Sequence, residues 1–253
     1  LWDECHPALE GVAFHYVSFG VGTGDKDRHI LDRLRTDGKD PMYVAVDISS
    51  AMLNMGTQEI RYSMPGRVLL MELDFEEPES LSALQTFLTG FVGSDPILYS
   101  LIGNTLGNIE DDAAFLGQLA GILRPDDRLA LEVATTRELD DRAVRLVVEE
   151  RAGSRLYNEF VTAALAMHTN LTINTNWLRY SATIDHPHSI RVESSYVNLG
   201  GEDIPLMLPN REVVPYRAGE GIQVLLGRRY SPGGVRMLLE DCLLYTSPSP
   251  RDR

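Results

Sequence analysis

The feature that most constrains this chain is a β-favouring run that stops on a glycine turn and restarts as a helix. From His15, the stretch Tyr16-Val17-Ser18-Phe19 reads as a buried strand ending at Gly20. Asp25 to Arg35 then places Ile30, Leu31 and Leu34 on one helical face, with Asp25 and Asp27 in the first turn, where the helix dipole favours carboxylates. The unit recurs. Tyr43-Val44-Ala45-Val46-Asp47 is a second strand, and Ser49 is placed to cap a helix through Met52 and Leu53. Val68 to Leu73 gives a third strand ending at Asp74-Phe75, and Pro96 to Ile102 a fourth ending in a turn rich in glycine and asparagine. Asp111 or Asp112 caps the next helix, on which Phe115, Leu116, Leu119, Ile122 and Leu123 repeat at helical spacing until Pro125. Leu129 to Val133 makes a fifth strand. Strands alternating with helices in this way predict an α/β fold, a parallel sheet with helices on both faces.

After about Ala134 the pattern changes. Two helical stretches, near Asp141 to Glu150 and Ser154 to His168, precede strands that read as antiparallel and half exposed, such as Ile190-Arg191-Val192-Glu193 and Ile222-Gln223-Val224. The expected division is a ligand-binding domain over 1–139, a smaller α+β substrate subdomain over 140–230 folded over the carboxyl ends of the sheet strands, and a return helix within 231–244. Residues 245–253 abandon apolar periodicity, resemble translated adapter sequence and read as a non-native tail. The opening at Leu1, without methionine and a dozen residues before the first strand, reads as a truncated N-terminus.

The formal net charge of −14, with no cluster of Lys or Arg, disfavours a nucleic-acid partner and favours a small-molecule substrate. Cys5 and Cys242 lie near opposite ends, too few and too far apart for a disulfide framework or a thiolate metal site. His186-Pro187-His188 has no acidic partner set and reads as a turn, not a metal site. With no apolar run approaching the roughly 20 residues of a membrane span, the expectation is a cytoplasmic monomer without membrane, metal or nucleic acid.

In an open parallel sheet, ligands bind beyond the carboxyl ends of the strands, where glycine lets backbone approach them. In Gly20-Val21-Gly22-Thr23-Gly24 the third glycine comes two residues after the second, whereas dinucleotide enzymes place it three after. Asp47 stands where a carboxylate accepts both ribose hydroxyls, although a helix cap would also explain it. Asp74 stands where one accepts from an adenine amino group while the next backbone N–H meets the ring; a plain turn is the alternative.

The glycine spacing resembles the first motif of class I methyltransferases, of Rossmann-like fold, whose cofactor has no phosphate. Gly22-Thr23-Gly24-Asp25-Lys26, Asp47-Ile48-Ser49, Asp74-Phe75 and Gly103-Asn104-Thr105-Leu106-Gly107-Asn108 together resemble the histidine-specific Nα-methyltransferase family of ergothioneine biosynthesis. The resemblance runs from about Phe19 to Ala134 and more weakly beyond. It implies S-adenosyl-L-methionine as cofactor, held by Gly20, Gly22, Gly24, Lys26, Asp47, Asp74 and Phe75, with Lys26 pairing the cofactor's carboxylate. It also implies that Gly103, Asn108 and Tyr157 meet the substrate, Asn108 and Tyr157 through an amino-acid carboxylate.

One departure stands out. Gly219-Glu220-Gly221-Ile222 and Arg229-Tyr230 resemble the ends of a family segment whose middle supplies a glutamate and a serine to the histidine ring. Leu225 and Gly227 occupy those two places here. Loss of the hydrogen-bonding pair argues against histidine, and leucine and glycine suggest an apolar space for a different side chain. The function expected is methylation of the amino group of an amino acid or related small amine other than histidine. A non-catalytic module that binds the cofactor, and a nicotinamide-dependent oxidoreductase, are the alternatives.

Overall fold

The computed structural model describes residues 14–185, 187–242 and 244. Cys5, His186 and the 245–253 tail lie outside the described residues. The chain divides into two compact units, one of residues up to Val133 together with those from Arg236 onward, the other Ala134–Val235.

The first unit runs β1 (His15–Phe19), α1 (Asp25–Thr36), β2 (Tyr43–Asp47), α2 (Ser50–Ser63), β3 (Val68–Glu72), α3 (Pro78–Val92), β4 (Ile97–Leu101), α4 (Thr105–Asn108), α5 (Asp112–Ile122) and β5 (Arg128–Leu131). All five strands are parallel, in the order β3-β2-β1-β4-β5. Phe19 lies level with Val46 and with Leu101, so three strands end together. Side chains alternate across a strand. Tyr16, Tyr43, Ala45 and Leu98 therefore pack with Ile30, Leu31 and Leu34 of α1 and with Leu53 and Ile60 of α2. On the other face Phe19 meets Tyr99 in a stack at 6.2 Å and Phe115 of α5 edge-on at 6.2 Å. Helices thus cover both faces of a Rossmann-like sheet.

Local chemistry sets the helix starts. Ser49 Oγ accepts from Met52 N at 3.3 Å at the head of α2, and Asp111 Oδ1 from Ala114 N at 2.9 Å at the head of α5. Helix α3 adds to the expected elements: Pro78 begins it, and Leu81, Leu84, Leu88 and Val92 are buried at helical spacing. The turn after β4 contains one helical turn, α4, begun by Asn104 in the left-handed conformation with φ 66°.

Asp27 departs from expectation. Its place in the first turn suggests an acid serving the dipole of α1, but it is 1% exposed. Tyr16 Oη donates to its Oδ1 at 2.5 Å and Tyr43 Oη to its Oδ2 at 2.8 Å, with the two rings stacked at 5.4 Å between centroids. Tyr16 Oη also lies 2.7 Å from Ser100 Oγ. One carboxylate thus joins α1 to β1 and β2, and through Tyr16 to β4. Burial raises its pKa, an effect the two tyrosine hydrogen bonds oppose.

The start of α1 also depends on glycine. Gly24 has φ 78°, and a Cβ there would lie 1.7 Å from the backbone oxygen of Gly56 in α2.

The second unit contains α6 (Asp141–Gly153), α7 (Arg155–His168), a 3₁₀ turn (Thr175–Trp177), β6 (Leu178–Asp185), β7 (Ser189–Val197), β8 (Ile204–Met207), β9 (Val213–Tyr216) and β10 (Gly221–Tyr230). It holds an antiparallel sheet of order β10-β7-β6 and a β8-β9 ribbon. Its core joins Val161, Leu178, Tyr196, Leu206 and Tyr216, with Leu225 and Tyr157 packed against them. Helix α8 (Pro232–Asp241) follows, and the boundary between units falls within it.

Two predictions follow from the first unit's packing. Gly24→Ala should cost more than the roughly 1–2 kcal/mol that a left-handed backbone alone imposes. Gly22→Ala, whose Cβ would meet no atom within 4 Å, should cost only that amount. Urea unfolding of both variants checks this, and equal losses would show that the approach of α1 to α2 does not demand glycine. The second concerns pH. Because folding raises the Asp27 pKa, its contribution to stability is complete below the unfolded value and declines as pH rises through the folded one. The stability difference between wild type and Asp27→Asn should therefore shrink from about pH 4 upward; a difference that grows with pH would contradict the burial.

Candidate functional site

The strand ends of the first unit converge around the glycine turn. Gly20, Gly22 and Gly24 all have positive φ, at 76°, 55° and 78°. The turn leaves β1 through Gly20 N, which donates to Val46 O at 2.8 Å, and closes through Gly24 N to Val21 O at 3.0 Å. A Cβ on Gly20 would stand 2.8 Å from Thr105 Oγ1, so glycine there lets the β4 turn press against the β1 turn. Gly22 borders open space.

Asp47, at the end of β2, is half-buried and braces this turn. Its Oδ2 accepts from Val21 N at 3.1 Å and its Oδ1 from Ser49 N at 2.9 Å. Each carboxylate oxygen can accept more than one hydrogen bond, so both retain capacity towards hydroxyls beyond the strand end. Asp74, after β3, is exposed; its Oδ1 accepts from Glu76 N at 3.0 Å, and its Oδ2 has no protein donor among the described residues. The Phe75 ring packs edge-on against Phe19 at 5.5 Å and against Phe115 at 5.8 Å. That ring is anchored in the unit's interior, and its backbone N–H has no acceptor among the described residues.

Lys26 Nζ donates to Glu132 Oε1 at 2.5 Å, just after β5. The apolar run reaching Val133 places Glu132 inside a strand, whereas β5 ends at Leu131 and leaves Glu132 at the strand end. An ammonium has three hydrogens, and this pair uses one.

At the end of β4, Gly103 is exposed with φ 79°. Gly107 follows the left-handed Asn104; a Cβ on Gly107 would lie 2.6 Å from Asn104 Nδ2. Asn108 ends α4 exposed, and its side chain makes no hydrogen bond among the described residues. The structure therefore brings Gly20, Gly22, Gly24, Lys26, Asp47, Asp74, Phe75, Gly103 and Asn108 to the carboxyl edge of one sheet.

These residues fit S-adenosylmethionine. A glycine turn bordering open space, carboxylates with spare acceptor capacity at two strand ends and an unused N–H beside one of them match a neutral nucleoside with an amino-acid tail. A concavity between α1 and α2 adjoins the glycine turn through Thr23 and Gly24, is lined further by Arg28, Met55 and Glu59, and is spanned by the Arg28–Glu59 ion pair at 2.8 Å. Among the described residues no group of His, Cys, Asp or Glu could hold a metal, and no helix is long and apolar enough to cross a membrane.

In the second unit, Tyr157 Oη lies 3.0 Å from Ser194 Oγ and accepts from Arg151 Nη1. Leu225 packs against the apolar cluster of the second unit. The space beside Gly227 is not apolar, which corrects the sequence expectation: a Cβ there would stand 2.8 Å from Arg151 Nη2. Glycine at 227 makes room for a guanidinium carried by α6, which no local reading of β10 reveals.

Residues 7–248 match the model of a family described as histidine-specific methyltransferase, SAM-dependent. A curated relative, the histidine N-alpha-methyltransferase of Mycobacterium tuberculosis (strain CDC 1551 / Oshkosh), is 31% identical over 134 residues. That match covers 52% of this chain and 38% of the relative. Among solved structures, the N-terminal domain of EvdMO1 with SAH bound is 12% identical, with 94% of this chain and 67% of that one covered at a TM-score of 0.44. The DszA carbon methyltransferase is 23% identical, covering 53% of this chain and 32% of that one at a TM-score of 0.38. With its family model matched over nearly its whole length, this chain belongs to the S-adenosylmethionine-dependent, histidine-specific methyltransferase family.

Proposed function

We propose that the chain transfers a methyl group from S-adenosylmethionine to the amino group of an amino acid or related small amine other than histidine. The observation that carries this reading is the set of unused polar groups at successive strand ends: spare acceptor capacity on Asp47, the Asp74 Oδ2 and the Phe75 N–H. In this reading the backbone of Gly20, Gly22 and Gly24 lies against the cofactor's amino-acid tail, and Lys26 offers its remaining ammonium hydrogens to the tail's carboxylate. Asp47 accepts the ribose hydroxyls. Asp74 accepts from the adenine amino group, and the Phe75 N–H donates to the ring. Gly103 lets backbone approach the acceptor, whose carboxylate Asn108 receives.

When bound, the cofactor supplies a sulfonium methyl with a leaving group that is already good. The protein's own contribution is then orientation and exclusion of water, and no nucleophilic side chain is needed. The acceptor nitrogen must arrive with its lone pair free, so its proton leaves to solvent or to a hydrogen-bonding neighbour first. The exclusion of histidine rests on Leu225 and Gly227, which supply no side-chain hydrogen bond to an imidazole.

Transfer of labelled methyl from S-adenosylmethionine to a panel of amino acids and amines tests the reading. The expected result is transfer that rises with pH as the acceptor amine loses its proton, with histidine a poor acceptor. Asn108→Ala should lower transfer about tenfold or more, a loss of about 1.4 kcal/mol of transition-state stabilisation. Histidine as the best acceptor would overturn the substrate assignment. Cofactor binding without transfer to any acceptor would favour a non-catalytic module.

A further inference from the structure

Helix α6 ends in a pair of adjacent charges with different fates. Both Glu150 carboxylate oxygens accept from Arg229 Nη2 at 2.8 Å. Arg151 has no carboxylate partner among the described residues and is half-buried. Its Cζ lies 4.9 Å from the centroid of the Tyr157 ring, and its Nη1 donates to Tyr157 Oη. Tyr157 Oη is fixed in turn by Ser194 Oγ, fully buried on β7. A Cβ on Gly227 would meet the outer nitrogen, Nη2, at 2.8 Å, so only glycine leaves the guanidinium where it stands.

A guanidinium has five N–H donors, and the tyrosine contact uses one. Holding this cation partly out of water costs free energy, which stacking on an aromatic face offsets in part. What remains is a planar fork, oriented from two sides, whose geometry matches a carboxylate through two parallel hydrogen bonds.

We infer that Arg151, aimed by Tyr157 and Gly227, is a carboxylate-binding residue and that the methyl acceptor presents a carboxylate to it. The inference deepens the reading above and rests on it for the ligand being an acceptor. It gives Tyr157 a second role, as the platform and hydrogen-bond partner that orients the guanidinium. The carboxylate has two possible sources, the α-carboxylate of any amino acid or the side chain of an acidic one.

Calorimetric titration of the chain with glutarate, without cofactor, reads the anion site alone. The expected result is saturable binding that Arg151→Gln weakens about tenfold or more and that Arg151→Lys restores only in part. Gly227→Ala should also weaken it by displacing the flexible end of Arg151, while the urea transition stays in place. Absence of glutarate binding in the wild type, or binding indifferent to Arg151→Gln, overturns the inference. Titrations with S-adenosylhomocysteine present then identify the source. If Arg151→Gln weakens L-leucine but not its decarboxylated counterpart isoamylamine, the α-carboxylate sits at Arg151. If the loss is confined to L-glutamate and γ-aminobutyrate, the side-chain carboxylate does; four unchanged affinities overturn the inference. Glutarate binding in a folded chain that shows no response to S-adenosylhomocysteine would strike the methyltransferase reading and leave the anion site standing.

Discussion

The first unit is organised around one buried carboxylate. Asp27 receives hydroxyls from Tyr16 and Tyr43 and is linked through Tyr16 to Ser100, so the first turn of α1 is tied to three neighbouring strands at once. A helix so anchored fixes the chain that precedes it. Gly24 must then begin α1 against the backbone of Gly56, and the turn from Gly20 to Gly24 has little freedom left. Asp47 completes the constraint by accepting from Val21 N. The polar groups proposed to hold the cofactor therefore stand on an edge whose geometry is determined beneath the surface, and preorganisation of this kind lowers the ordering cost of binding.

The same economy of glycine appears twice more with different consequences. Gly20 lets Thr105 approach, which brings the turn carrying Gly103 and Asn108 to the glycine turn of β1. Gly227 lets Arg151 approach β10 in the second unit. In the first case the missing side chain assembles a site from backbone. In the second it admits a charged side chain from another element.

Much of the first unit was legible because its signals are local. β1 and β2 have the bounds that their apolar runs indicate; β3 ends one residue sooner, β4 is shorter by one residue at each end, and β5 begins one residue sooner and ends two sooner; Ser49 and Asp111 cap the helices that they are placed to cap. Leu81, Leu84 and Leu88 carry the period of helix α3, but no side-chain cap marks its start. What could not be read locally were pairings between distant elements. Asp27 in a first turn looks like a solvated acid until two tyrosines from two strands are placed over it. Lys26 looks free until Glu132, far along the chain, is brought beside it. Leu225 and Gly227 read as an apolar opening because nothing in β10 announces Arg151.

The central claim is that the carboxyl edge of the five-stranded sheet holds S-adenosylmethionine with Asp47 as the ribose acceptor. The most direct measurement is calorimetric titration of S-adenosylhomocysteine into the chain and into Asp47→Ala, with near-ultraviolet circular dichroism confirming that both are folded. The account predicts saturable binding that the substitution weakens by about 1.4 kcal/mol or more, an affinity loss of about tenfold. A folded chain that ignored S-adenosylhomocysteine and bound a nicotinamide dinucleotide instead would contradict it.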